Sequence, residues 1–511
     1  MNYLDYVQMT KGQQIAYNLK KFFTGIPGAI KNLFLVIGAF FGNIFKTIGN
    51  GFANYGSRFA KGDIGTKLSY IVMGAGNIFH GQVVKGIIML ALEIGYFYYM
   101  AVFGLGQLAK LYCNNVPITD AQGNTIAIAN GVVGSVPSTI EYVGILQTPQ
   151  TKFGDDSSVI LLYGVLTILI TIAFFALYIG NTKSAYATQE IKAAGKQPKS
   201  IVQEIKSLFD ERFHITLLSL PVLLLLMFTV LPIIYTVFMA FTNYDKEHQP
   251  PKNLFWWVGF KNFADVFYSD PATSRTFGKI LVWTIVWAIF ATFTNYVAGI
   301  ILALMINKKG IKLKAMWRTI FVVTAAVPQF VTLLIMNLML RDNGTLDTMF
   351  NTQFHFLSNA MNARITVIVV NLWVGIPYTM LITSGLLMNI PEDLYESARI
   401  DGANAVQQFT KITFPYIFFV TTPYLITTFV GNINNFNVIF LLTGGGPNND
   451  TSYSQSGPTD LLVTWLYKLT LNEKDFNLAA VIGIIVFVIT AAGSLITFNM
   501  SKASKNEEEF S

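Results

Sequence analysis

The sequence predicts an all-α polytopic membrane protein with about eight transmembrane helices, on three observations. Hydrophobic residues make up 53% of the 511 positions and charged residues 12%, about half of the ~25% that soluble domains carry. Eight segments, 86–108, 159–180, 215–241, 280–306, 319–340, 365–388, 416–442 and 477–498, reach the length needed to cross a hydrocarbon core, about 20 apolar residues. One acidic or basic side chain, Glu93, falls inside any of them. The same composition excludes a string of soluble domains, a disordered chain, collagen and a coiled coil. A single cysteine rules out an intramolecular disulfide and a Cys cluster for zinc or iron–sulfur. The net charge of +7 is spread between apolar runs rather than gathered in one patch, so a lipid bilayer, not nucleic acid, is the expected partner.

Residues 1–83 contain no span, because the uncharged run 32–45 has only 14 residues. Lys20, Lys31 and Lys46 are spaced near whole helical turns, with Phe22, Phe23, Phe34, Phe40, Phe41 and Phe45 among them. This pattern predicts an amphipathic cytoplasmic or interfacial region on the inner leaflet. The region 84–180 holds two spans joined by an external loop. The first starts too far from Met1, and lacks a small-residue cleavage site, to be a signal peptide. A polar, Lys-rich cytoplasmic linker follows at 181–213, then six spans in 214–499 and a tail at 500–511. Placing both termini in the cytoplasm puts 24 of the 35 Lys and Arg on the inner side, with Lys308, Lys309, Lys312, Lys314 and Arg318 clustered between two spans. That asymmetry sets the expected orientation in the plasma membrane.

The chemistry is narrowed by what is missing. His80, His214, His248 and His355 are scattered at no metal-ligand spacing, and no zinc-protease, serine-hydrolase or P-loop motif occurs. No metal and no cofactor are expected. The run Gly444, Gly445, Gly446 and Pro447 lacks the Lys-Ser/Thr and the following helix of a phosphate loop, and reads as a turn. A proton-coupled carrier needs intramembrane carboxylates or histidines; Glu93, near Tyr96 and Lys85, is expected to snorkel or to bond a neighbouring helix. The chain therefore reads as a transport path whose energy comes from another subunit.

The loop 389–415 predicts a short helix–turn–helix. Pro391 suits a first helical position, and Glu392 and Asp393 complement the positive helix end. Leu394, Ala398 and Ile400 supply apolar contacts, and Glu396 and Arg399 lie one turn apart. Gly402 ends the helix in a left-handed conformation. Asn404 caps a second short helix, closed by Pro415. In this loop the sequence resembles the permease subunits of ATP-binding-cassette importers. Their Glu-Ala-Ala…Gly…Ile-x-Leu-Pro pattern is matched at Glu396, Ala398, Gly402, Ile412 and Pro415, with Ser397 for the second position and Phe414 for Leu. The likeness runs from about 365 to 498, through N-L-W-V-G-I-P-Y, I-N-N-F, L-L-T-G-G-G-P and T-D-L-L-V, and is strongest toward the larger permease subunit of maltose and maltodextrin importers. It implies a type I importer core of six helices, with no ATPase site of its own. The loop, with Glu396, Ser397, Ala398, Gly402, Ile412 and Pro415, becomes the coupling helix. The implied partners are a second homologous permease, two cytoplasmic ATPase subunits and an external sugar-binding protein. The long form of that subunit has a folded domain after its third span; here 242–279 is short.

Asn371, Gly375 and Tyr378 share one face of the sixth span, at i, i+4 and i+7. In the seventh, Asn432 and Asn435 form one stripe and Asn434 and Asn437 another: four amides in six residues. Such amides are costly in hydrocarbon unless they face other helices or a water-filled path. Amides with an aromatic ring suit a sugar, and equally suit helix-to-helix contact. Gly375 is expected to leave room for a ligand and Pro377 to kink the helix. The resemblance implies that Asn371, Gly375, Tyr378, Asn432 and Asn435 line a sugar pocket, with Gly431 where an aromatic residue is usual. The overall expectation is a maltose or maltodextrin permease subunit. Another oligosaccharide is the alternative, and an ion-coupled secondary carrier the rival from a different class.

Overall fold

The computed structural model describes residues 35, 38–39, 42–43, 45–119, 125–143, 148–308, 310–351, 353–447 and 456–500. The chain is a mostly helical polytopic membrane protein. Seven described helices are long and apolar enough to cross a membrane: α1 Val83–Lys110, α2 Ser157–Ala193, α3 Phe213–Met239, α4 Pro271–Asn307, α7 Ala360–Leu387, α9 Ala405–Ile433 and the last, α12, from Phe476. Between α4 and α7, α5 Lys314–Ala326 and α6 Gln329–Leu340 form a pair bent by 87°, an eighth span if taken together. Shorter helices are α8 Glu392–Ile400, α10 Phe436–Leu442 and α11 Leu462–Lys468. Three spans open on amide or carboxylate caps. Asp156 accepts from Ser158 and Val159, Asp270 from Ala272 and Thr273 ahead of Pro271, and Asn359 from Met361 and Asn362, which satisfies N–H groups the first turn leaves open.

Two expected spans are not straight rods. The fifth, expected as 319–340, breaks at Val327–Pro328, where proline has no N–H to give and its ring clashes with the preceding turn. The seventh, expected as 416–442, starts at Ala405, ends at Ile433 and resumes at Phe436. Asn434 leaves helical geometry there, and the Asn435 side chain caps the next helix by accepting from Val438. Nor does Pro415 close a second short helix. A π turn at Phe409–Thr413 leads into the span, with Pro415 in the first turn that follows, where its missing N–H removes little. Pro377 sits within an unbroken α7.

Residues 38–262 with 475–480 pack as one compact unit. Residues 45–61 are helical; the rest of the expected interfacial helix, including Lys20, Lys31, Phe22, Phe23, Phe34, Phe40 and Phe41, lies outside the described residues. A turn at 69–74 folds against α1 and α2 through polar groups. Glu93 accepts from the Met73 N–H at 2.8 Å, and Asn181 accepts from Gly74 and donates to the Ser69 carbonyl. Gly74, at φ +84°, lies so close to Gly86 that a Cβ would overlap its carbonyl. Glu93 thus bonds a backbone amide of this turn, and Tyr96 stacks on Phe174 at 3.8 Å.

Beyond the spans the chain is not all-α. β1 Val116–Thr119 pairs antiparallel with β2 Thr125–Ala129, and β3 Thr139–Val143 with β4 Thr148–Lys152. The short loop after α3 joins this layer. Val133 donates to the Phe255 carbonyl and Trp257 to that of Gly131, over a core of Val116, Val132 and Leu254. Asp155 ties the layer to α1, accepting from Lys110 at 2.7 Å and from the Ser135 and Val136 amides. Burial pushes the Asp155 carboxyl up, but Lys110 and the two amides hold it below the usual carboxylate range. Its stabilisation is complete above about pH 4, the unfolded value, and lost as pH falls through the lower folded one.

Residues 263–474 with 481–500 form the described part of the other unit. Its centre is the crossing of α4 and α7. A Cβ on Gly299 would strike Thr379, and a Cβ on Gly375 would strike Asn295, so each helix gives way to a polar side chain of the other. Trp283, Trp287, Leu333, Val367, Val438, Ile439 and Leu461 form the main apolar cluster beside that crossing. Asp460, fully buried, accepts from Lys468 at 2.7 Å, from the Gly457 amide and from Thr464. The glycine turn packs on it: Gly445, at φ +85°, leaves no space for a Cβ against the Asp460 carboxylate. A charged pair inside this unit was not expected, because both residues lie outside the apolar segments.

Two stability outcomes follow from these contacts. Glu93→Ala strands the Met73 amide and should cost about 1–3 kcal/mol, whereas Glu93→Gln keeps an acceptor and should cost less; equal melting temperatures for both variants would contradict the bond. Lys468→Met takes the cation from the buried Asp460 carboxylate, a loss of about 3–5 kcal/mol, and Asp460→Asn should also destabilise. The double variant should recover part of it in thermal unfolding of the purified protein.

Candidate functional site

A cavity of about 240 Å³ lies among α4, α7 and α9, lined by Thr292, Asn295 and Tyr296, by Asn371, Gly375, Tyr378 and Thr379, and by Tyr424, Thr428 and Asn432. Helical spacing brings these groups together: 292, 295 and 296 lie on one face of α4, and 371, 375 and 378 on one face of α7. Four of the five expected sugar-site residues therefore share one cavity wall. The fifth, Asn435, does not line it but donates to the Asn432 carbonyl oxygen of the amide at 3.3 Å while capping α10. Asn432 in turn donates to Thr292 at 2.9 Å, and its backbone carbonyl accepts from Trp287. Gly375 has a different use from the one expected: the space its missing Cβ leaves is filled by the Asn295 amide. Asn434 and Asn437 are exposed on the other stripe.

The cavity carries no acidic or basic side chain. Two of its polar atoms are buried without a protein partner among the described residues, Asn371 Nδ2 and Asn295 Oδ1. A buried unpaired donor and acceptor cost free energy unless water or a ligand meets them, so the wall offers neutral hydrogen-bond groups to something polar. Other amphipathic groups are already engaged: Tyr296 with Thr421 at 2.6 Å, and Thr379 with Tyr424 at 3.1 Å. Tyr378 is 51% exposed and also borders a second, smaller cavity at the α5–α6 bend, with Thr324, Gln329 and Trp373. Its ring is thus free to contact a ligand from either side. Sequence reasoning missed Thr292, Asn295, Tyr296, Tyr424 and Thr428. An Asn in the middle of the fourth span was the available signal for the first three.

The loop 389–415 takes the expected helical form at its start. α8 follows Pro391, Gly402 has φ +79°, and Asn404 caps the next helix in a reciprocal pair with Gln407. Glu396 and Arg399 form an exposed ion pair at 3.6 Å, worth little by itself. Tyr395 bonds Thr413 at 2.8 Å, which holds α8 against the start of α9. Ser397 and Gly402 are exposed, Ala398 and Ile412 half-buried and Pro415 exposed, while Ile400 is 86% exposed. The short helix is thus pinned by one tyrosine and leaves an apolar tip and a charged flank uncovered.

Residues 295–505 match the family described as binding-protein-dependent transport system inner membrane component. The chain is 32% identical over 453 residues to the maltodextrin transport system permease protein MdxF of Bacillus subtilis, covering 86% of this chain and 95% of that one. It is 34% identical over 445 residues to the galactooligosaccharides transport system permease protein GanP of the same organism, covering 86% and 97%. Against the maltose/maltodextrin transport system permease protein MalF of Escherichia coli the match is 35% over 253 residues, about half of each chain. Apart from Thr292, the residues named for the cavity and the loop 389–415 fall within the matched stretch, and the chain belongs to the binding-protein-dependent transport system inner membrane component family.

Proposed function

We propose that this chain is a permease subunit of an ATP-driven sugar importer, and that the α4–α7–α9 cavity is one wall of the path taken by a maltodextrin-like oligosaccharide. The observation that carries this reading is the pair of orphaned amide groups, Asn371 and Asn295, beside the exposed ring of Tyr378 in a cavity without charge. Sugars present hydroxyls that both donate and accept and C–H faces that stack on rings. An ion-coupled carrier would need a titratable group in its path. At about 240 Å³ the cavity is smaller than the ~300–1,000 Å³ of most ligand sites, which supports a second permease supplying the opposite wall. The relatives named for maltodextrin and for galactooligosaccharides keep a different oligosaccharide as the second reading.

Energy comes from two cytoplasmic ATPase subunits that grip α8 and its flanks, with Glu396, Ser397, Ala398, Gly402, Ile412 and Pro415 at the contact; the chain has no ATPase site of its own. Both termini are cytoplasmic, as the Lys and Arg distribution supports, and an external binding protein delivers the sugar. The deciding experiment is ATP hydrolysis and uptake by the co-purified complex with binding protein and a panel of glucans and galactans. Uptake by the chain alone, driven by an ion gradient, would overturn the reading.

Two sets of variants test its parts. Asn371→Ala removes an amide that bonds no protein group, so apparent sugar affinity should fall about two- to tenfold, the ~0.5–1.5 kcal/mol of one hydrogen bond, with the melting temperature unchanged. Tyr378→Ala should cost more and Tyr378→Phe less, while Asn435→Ala should mainly lower stability, by about 1 kcal/mol for the lost cap. If Asn371→Ala lowers stability and leaves sugar dependence intact, the amide is helix contact only. For coupling, Glu396→Lys reverses an exposed charge and Gly402→Asp strains a residue at φ +79°. Both should insert normally yet lose sugar-stimulated ATP hydrolysis, and wild-type uptake in both would remove α8 from the coupling role.

A further inference from the structure

A larger cleft, of about 920 Å³, opens where α4 and α7 begin, roofed by the loop 456–460. It is separate from the sugar path. At 100° per residue, its α4 residues Val282, Val286 and Phe290 lie about 130° around the helix from Thr292, Asn295 and Tyr296. The rim is cationic. The Arg364 guanidinium stands 4.7 Å over the Trp283 ring, its Nε donates to the Pro458 carbonyl at 2.9 Å, and the residue lines the cleft. Lys279, exposed, lies one turn from Trp283 on the same face of α4. Among the described residues neither cation pairs with a carboxylate. Asp460, which also borders the cleft, is occupied by Lys468, Gly457 and Thr464. Below the rim the walls are apolar: Val282, Phe290 and Ile365 are exposed, and Val286 is half-buried. From Phe290 a second apolar groove continues along α4 past Phe293 and Val297.

Lys279 opens the apolar stretch of α4, so it and Arg364 sit where headgroups meet chains. We propose that this cleft binds an anionic phospholipid, its phosphate held by Lys279 and Arg364 and one acyl chain laid along Val282, Val286 and Phe290. Two cations with no carboxylate partner among the described residues, over an apolar channel, match such a lipid in both charge and polarity gradient. A helix of a companion subunit would have to bring an acidic residue to the same depth. The proposal requires only that α4 and α7 span the bilayer, and it is independent of which substrate the chain moves.

The test is native mass spectrometry of the full-length chain, purified with its companion subunits and titrated with phosphatidylglycerol, phosphatidylcholine and glycerol 3-phosphate. Phosphatidylglycerol should be retained over phosphatidylcholine, and glycerol 3-phosphate alone should not displace it. Lys279→Gln should weaken phosphatidylglycerol about fivefold, the factor that one basic residue contributes near an anionic surface, and leave phosphatidylcholine unchanged. Lys279 makes no structural ion pair, so this variant is expected to fold; Arg364→Lys keeps the charge and should retain most of the preference. Equal retention of the two lipids, or an unchanged preference in Lys279→Gln, would overturn the proposal. So would displacement by glycerol 3-phosphate alone, or a disulfide from Val282→Cys to a companion subunit in place of bound lipid.

Discussion

The crossing of α4 with α7 is the contact on which the transport unit depends. Helices in a bilayer gain nothing from hydrophobic burial against each other, since lipid is as apolar as leucine; they associate through close packing and polar contacts. Gly299 and Gly375 let the two backbones approach, and the space each leaves is taken by Thr379 and Asn295. That exchange draws Asn295 beside Asn371 and turns Tyr378 outward, so the same packing that joins the helices also creates the uncharged polar wall. A methyl group at either glycine would separate the helices and dissolve the cavity together.

The irregular backbone falls where such a unit can tolerate it. Within hydrocarbon, unpaired N–H and C=O groups are admitted only where protein or a water-filled cavity meets them. The Val327–Pro328 bend opens onto the small cavity shared with Tyr378 and Gln329. The break after Ile433 is answered by the Asn435 cap and by Trp287 on the Asn432 carbonyl. Four amides in six residues therefore have two uses: some hold a broken helix in place and others turn toward the cavity. Asn435 is mainly of the first kind and Asn432 of the second. Periodicity alone could not separate them, since both stand on a face shared with other amides.

The β layer beyond the spans answers a different question. The short loop after the third span gave no sign of a folded body, yet described residues 111–119, 125–143, 148–156 and 241–258 combine into two small hairpins and a joint core. The strands are only four or five residues long, too short for their alternation to stand out, which is why composition registered only a loop. Glu93 shows the same limit inside the membrane: the residue was conspicuous, but its partner is a backbone amide 20 residues away.

Local rules were enough for most of the spans, for the left-handed Gly402 and for the Asn404 cap, because each depends on neighbours within a few residues and on the cost of bare polar groups in lipid. Spacing placed Asn371, Gly375 and Tyr378 on one face and Asn432 with Asn435 on another; the resemblance joined all five, of which Asn435 does not line the cavity. Tertiary structure alone decided that Gly375 makes room for Asn295, that Asp460 and Lys468 are buried as a pair, and that Arg364 and Lys279 line a cleft apart from the α4–α7–α9 cavity. Each of these is set by contacts between segments distant in sequence, where the partner's shape, and not the residue's own type, determines what its side chain meets.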